Sequence, residues 1–224
     1  MELKLNKFLV PLICFLASLY LLSQESLEVK SQYKPVLNEI IEILDQNHFK
    51  KNFEINEQKV IDNFLVNLDK EKIIFTSGEF SSYSARFKNM HNLDEIFKIY
   101  QDYSERSFEL ISYQKDIVNL INTSADLNTT EFIEKSREDK KRFNSLDSIK
   151  TYHSLLIKNE FINILLSNDN FENSKSKLLK RLKNRVKSLN RIKSDDIFSL
   201  YTNSITSLYD PHTNYLSPKS QEDF

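Results

Sequence analysis

One glycine in 224 residues sets the strongest limit on what this chain can fold into. Gly78 is the only residue that reaches positive φ at no steric cost. Phosphate-cradling loops and dinucleotide-binding turns need several glycines at close spacing, so both are excluded. Tight hairpins favour glycine as well, and four prolines add few alternative turns. The expectation is an all-α chain, an irregular multi-helix domain with a signal segment before it and an extended linker after it. The 16 Phe and 10 Tyr supply bulk for a core. A net charge of −1 gives no general bias toward nucleic acid or acidic partners.

The first 24 residues read as a targeting segment. Lys4 and Lys7 precede an uninterrupted apolar stretch over residues 8–22, and Ser23, Gln24 and Glu25 follow it. A positive start, an apolar middle and a polar end make a secretory signal. The stretch is short for a permanent span of ~20 residues, and Pro11 weakens a spanning helix. It has no clean small-x-small cleavage site, which leaves an uncleaved membrane anchor as the second reading. The single cysteine, Cys14, lies inside it, with the large Ile13 just before. A chain cleaved after this segment has neither disulfide nor thiol chemistry.

Helical periodicity organises the rest. Pro35 opens a segment with Leu37, Ile40, Ile41 and Leu44 on one face, and Ile61, Phe64, Leu65 and Leu68 make a second. Ile73, Ile74 and Phe75 form a short apolar link. Thr76 and Glu79 stand at the spacing of a capping box for the next helix. A long helix is expected over 93–121, then a polar loop over 122–128. The highly charged stretch 131–147 reads as a solvated helix or a mobile connector. Apolar residues return at Leu155, Leu156, Phe161, Ile162, Leu165 and Leu166, and Asn168, Asp169 and Asn170 interrupt them. Leu178, Leu182, Val186, Leu189 and Ile192 stripe the following helix. Ser194 is the expected cap of the last one, with Asp195 and Asp196 in its first turn and Ile197, Tyr201, Ile205 and Leu208 on its buried face.

Residues with catalytic or ligating chemistry are sparse. His48, His91, His153 and His212 include no pair at the three- or four-residue spacing of a helical metal site. No cofactor or metal is expected. His212 near Asp210 is better explained by a type I turn, since Asp210-Pro211-His212-Thr213 has Asp and Pro where that turn prefers them. Serines and lysines abound without the glycine-rich nucleophile turn that an oxyanion site is built on. Nine Lys or Arg and no carboxylate lie within 175–193. That run reads as the basic outer face of an amphipathic helix, with anionic lipid binding as a rival and nucleic acid disfavoured by export.

Residues 194–224, SDDIFSLYTNSITSLYDPHTNYLSPKSQEDF, closely resemble a segment of the tail-specific proteases, the long C-terminal processing peptidases of the exported serine-protease kind. In that family a helix ends in Asp-Pro-His-Thr-x-Tyr-Leu-Ser-Pro and a PDZ domain follows. Here the motif is Asp210, Pro211, His212, Thr213, Tyr215, Leu216, Ser217 and Pro218. The resemblance implies an N-terminal helical domain over 25–209 and a linker over 210–224 toward a PDZ domain that this chain stops short of. The family's catalytic serine and lysine lie beyond that domain, so no residue here inherits a catalytic role. A periplasmic location is implied, with substrate capture or docking as the domain's task. The implied partners are a PDZ and protease module, in cis or in trans, and unfolded protein clients. No nucleic acid is expected, and the membrane is met only through the N-terminal segment. Tyr215 and Leu216 are expected partly exposed, awaiting the next module. The alternative is a free-standing exported adaptor.

Overall fold

The computed structural model describes residues 27–47, 54–127, 130–134, 136–167 and 170–217. The apolar N-terminal stretch with Cys14, then His48, and then residues 218–224 including Pro218, lie outside them. Among the described residues the chain is all-α, with seven helices and no strand. They are α1 (Tyr33–Asn47), α2 (Glu57–Leu68), α3 (Ser77–Arg86), α4 (Leu93–Leu120), α5 (Leu146–Leu165), α6 (Phe171–Leu189) and α7 (Ser194–Tyr209), with one 3₁₀ turn at Ser124–Leu127.

Two apolar cores share one spine. α4 has 28 residues and so runs about 42 Å at 1.5 Å per residue. Its first half gives Leu93, Ile96, Phe97, Ile99 and Tyr100 to a core with α1, α2, α3 and α7. Its end gives Val118 and the capping Ile121 to a second core with α5, α6 and the 3₁₀ turn, around Ile157, Phe161, Leu178 and Leu182. α7 is the centre of the first core. Tyr201, Ile205 and Tyr209 of this helix are fully buried, and the two tyrosine hydroxyls reach Met90 O and Asp45 Oδ1, each at 2.6 Å. A buried tyrosine needs such a partner, because an unpaired hydroxyl in an apolar core is costly.

Local signals act as their chemistry requires. Thr76 Oγ1 accepts from the Glu79 amide at 3.2 Å while the Glu79 carboxylate accepts from the Thr76 amide at 2.9 Å, which closes the capping box of α3. Gly78 falls within α3 and needs no unusual φ. The positive φ among the described residues belongs to Lys72, at 58°.

Two sequence expectations are corrected. Ser194 does not cap α7. It is the first helical residue, and its hydroxyl accepts from the Glu28 amide at 3.0 Å. The cap position falls on Lys193, whose amide donates to Asp196 Oδ2 at 2.8 Å. Among its described residues the charged stretch up to Ser145 is neither helix nor loose connector but a strap held to the helices, and α5 begins at Leu146. Its anchor is Arg142, paired with the Asp69 carboxylate where both side chains are out of water. Asp69 also accepts from the Ile73 and Phe75 amides at 2.8 and 3.0 Å. Arg142 lies 4.3 Å from the centre of the Phe80 ring. Arg137 covers Phe143 and Tyr152, while its amide donates to Glu71 at 2.7 Å. The Ser77 amide donates to Phe143 O at 2.8 Å. The charges that suggested solvation are the contacts that fix the strap.

Candidate functional site

A groove of about 1030 Å³ opens where the two cores meet. α4, α5, α6 and α7 and the 73–74 link all contribute to its walls. Its apolar lining includes Leu110, Ile111, Leu156, Leu189, Ile192 and Leu200. Leu110 is buried, and the others are partly exposed to the groove. The lower part of the apolar stripe, at Leu189 and at Ile192 just beyond α6, therefore lines the groove, whereas Leu178 and Leu182 higher up fill the second core. The rim is polar, with Asn67, Asn159, Asn163, Asn184 and Ser188.

His153 sits buried against the groove. Its Nδ1 is 3.1 Å from Gln114 Nε2 and its Nε2 is 3.0 Å from Ile73 O. Gln114 donates to Nδ1 and the ring donates to the carbonyl, which assigns a neutral imidazole protonated at Nε2. Burial lowers its pKa below the ordinary 6.5, outweighing the raising effect of the Ile73 carbonyl. His153 thus ties α5 to α4 and to the 73–74 link.

The polar groups of the groove are mostly committed to partners within the fold. The one carboxylate among the described lining residues, Glu160, is paired with Arg181 at 3.2 Å and with Arg185 at 2.6 Å. Ser107 donates its hydroxyl to Tyr103 O at 2.8 Å rather than to a base. Among the described residues no cluster of three His, Cys, Asp or Glu could hold a metal. Shape and apolar lining suit the groove to binding.

The motif after α7 lies elsewhere, against the first core. Thr213 N donates to Asp210 O at 3.0 Å and His212 N to Asp210 Oδ1 at 2.9 Å, which makes a turn braced by its aspartate. Pro211 and His212 are exposed on it. The chain then runs back along α7. Thr206 Oγ1 donates to Thr213 O at 2.8 Å, and Asn203 bonds both the amide and the carbonyl of Tyr215, at 2.6 and 3.2 Å. The Tyr215 ring packs edge-on against Phe198 with centroids 5.6 Å apart. Ser217 is buried and Leu216 is 44% exposed. Over 210–217, then, the tail is packed onto the helical domain. Tyr215 is half-buried against its own domain, and Leu216 is the large apolar residue of the tail that faces outward. Sequence reasoning missed Asn203, since a lone asparagine on a helix carries no pattern. It missed Gln114 and the groove for the same reason, because the walls come from separate stretches of chain.

A family model described as the tail specific protease N-terminal domain matches residues 40–219. A tail-specific protease from Haemophilus influenzae is 27% identical over 191 residues, covering 81% of this chain and 27% of that protein. The chain therefore spans about a quarter of the length of that curated relative. The matched stretch takes in most of the first core, the second core, the groove and the returning motif, and the chain belongs to the tail-specific protease N-terminal domain family.

Proposed function

We propose that this domain is the non-catalytic part of a periplasmic tail-specific serine protease and captures unfolded client protein for it. The observation that carries the reading is the groove, a space of about 1030 Å³ walled by apolar side chains with a polar rim. Unfolded chains expose the apolar side chains that folded proteins hide, and a preformed apolar cleft with few oriented polar groups suits them. The apolar walls bind side chains, and the asparagine rim offers donors and acceptors to an extended backbone. The protease relative makes an unfolded client the natural occupant. Leu216, outward on a tail otherwise packed down, is the contact offered to a following PDZ module. The signal-like residues 1–24 support a periplasmic setting.

The test has two arms. A permanently unfolded, fluorescently labelled protein is titrated with the full chain and with Leu156→Asp, which puts a charge on the groove wall without emptying a core. Saturable binding weakened at least tenfold by the substitution supports the reading. Equal binding by both folded proteins sinks it. The same client, incubated with the full chain and searched by mass spectrometry for new termini, should show none. New termini that persist through repeated purification would contradict the non-catalytic role.

A further inference from the structure

We propose that the outer face of α6 is a docking surface for anionic phospholipid headgroups. Lys180, Lys183 and Lys187 lie on it, with Arg191 beyond the helix end. At 100° per residue the three lysines fall within about 60° of one another. Leu178, Leu182 and Leu189 point the opposite way, into the second core and the groove. All four cations are exposed, and among the described residues they have no ion-pair partner. Their neighbours Arg181 and Arg185 differ, since Glu160 neutralises both. Like charges three and four residues apart repel along a helix, so the fold gains nothing from this stripe. Nine of the chain's 31 basic residues crowd into 175–193 although the net charge is −1.

The chain's own path selects lipid as the occupant. The Glu28 amide donates to Ser194 Oγ at 3.0 Å, and Lys30 pairs with Asp195 at 2.9 Å. The first described residues therefore lie against the start of α7, just after Arg191 and Lys193. The apolar stretch 8–22 ends five residues before Leu27. Five steps of extended chain reach at most about 18 Å. A bilayer that receives the apolar stretch is thus held close to the basic end of α6. Clusters of four or more cations beside a membrane-inserted segment bind anionic headgroups electrostatically, with about a fivefold gain per charge.

The experiment measures partition of the full chain onto vesicles of phosphatidylcholine with and without about 30% phosphatidylglycerol. The apolar stretch contributes to both and cancels in the ratio. One variant is Lys180→Ala/Lys183→Ala/Lys187→Ala; all three sites are exposed, and alanine favours helix, so the fold is retained. The control, Lys34→Ala/Lys98→Ala/Lys115→Ala, removes the same charge from α1 and α4. The expected result is a preference for anionic vesicles that falls on the order of 100-fold in the α6 variant, changes little in the control and collapses between about 50 and 500 mM salt. The proposal is overturned by equal binding to both vesicle kinds or by equal losses in the two variants. Tighter binding to a short DNA duplex than to anionic vesicles, at matched phosphate, overturns it as well.

Discussion

Arg142→Met should destabilise the protein by about 3–5 kcal/mol, although 142 lies in a stretch whose composition reads as solvated. The magnitude follows from what the substitution leaves behind. The Asp69 side chain is 1% exposed and that of Arg142 is 8% exposed. Removing the guanidinium strands a buried carboxylate with only the Ile73 and Phe75 amides as donors. Asp69→Asn in the same background removes the stranded charge and should recover part of the loss. Lys70→Ala breaks the exposed pair with Glu138 and should cost well under 1 kcal/mol. The assay is equilibrium urea unfolding followed by far-ultraviolet circular dichroism at neutral pH, with m-values compared to check that the transition stays two-state. Arg142→Met no more costly than Lys70→Ala would refute the argument that a buried pair fixes the strap.

Three further outcomes follow from single residues. Gly78→Ala should stabilise by about 0.5–1 kcal/mol, because the site is helical and an added Cβ meets nothing within 4 Å; an unchanged or lower midpoint in the same urea assay would count against it. His153 has a folded pKa below its ordinary 6.5, so its contribution is complete above that value and is lost as pH falls below it, toward the folded pKa. Acidification from about pH 7.5 to 5.5 should therefore lower the melting temperature less in His153→Gln than in the parent, and identical slopes would contradict the buried neutral imidazole. Tyr215→Ala should cost about 1–2 kcal/mol from the lost ring contact with Phe198 and speed hydrogen exchange at the Thr213 and Tyr215 region, whereas Leu216→Ser should leave stability nearly unchanged.

The helices were legible because their cores are one-sided. Leu37 and Leu44, Phe64 and Leu65, and Leu178 and Leu182 recur at helical spacing and are buried. The long α4 was legible to within a residue at its C-terminal end, since Ile121 caps rather than continues it. Periodicity failed where the stabilising partner is polar and distant. Asp69 and Arg142 are 73 residues apart, so nothing local distinguishes the strap from a solvated run. Leu166 completed an apparent apolar pattern yet is 76% exposed, because α5 has already ended. The residues of the motif at Asp210 to Ser217 were legible, but their return onto α7 depends on Asn203 and Phe198 across the turn. The groove could not be read because Ile111, Leu156, Leu189 and Leu200 each look like ordinary core positions on their own helices. Only the packing of these helices together leaves space between them.

If the groove receives an unfolded chain, a photoreactive side chain on its wall should crosslink to the client. A photoreactive phenylalanine analogue would replace Leu156 in the groove wall, and in a second protein Phe132, which is 94% exposed on the strap. Both folded proteins would be irradiated with the same unfolded client, and the crosslinked peptides sequenced by mass spectrometry. Position 156 should give abundant adducts that excess unlabelled client removes, and position 132 should give few. Equal yields from the two positions, or none from 156 while the client is bound, would contradict binding in the groove.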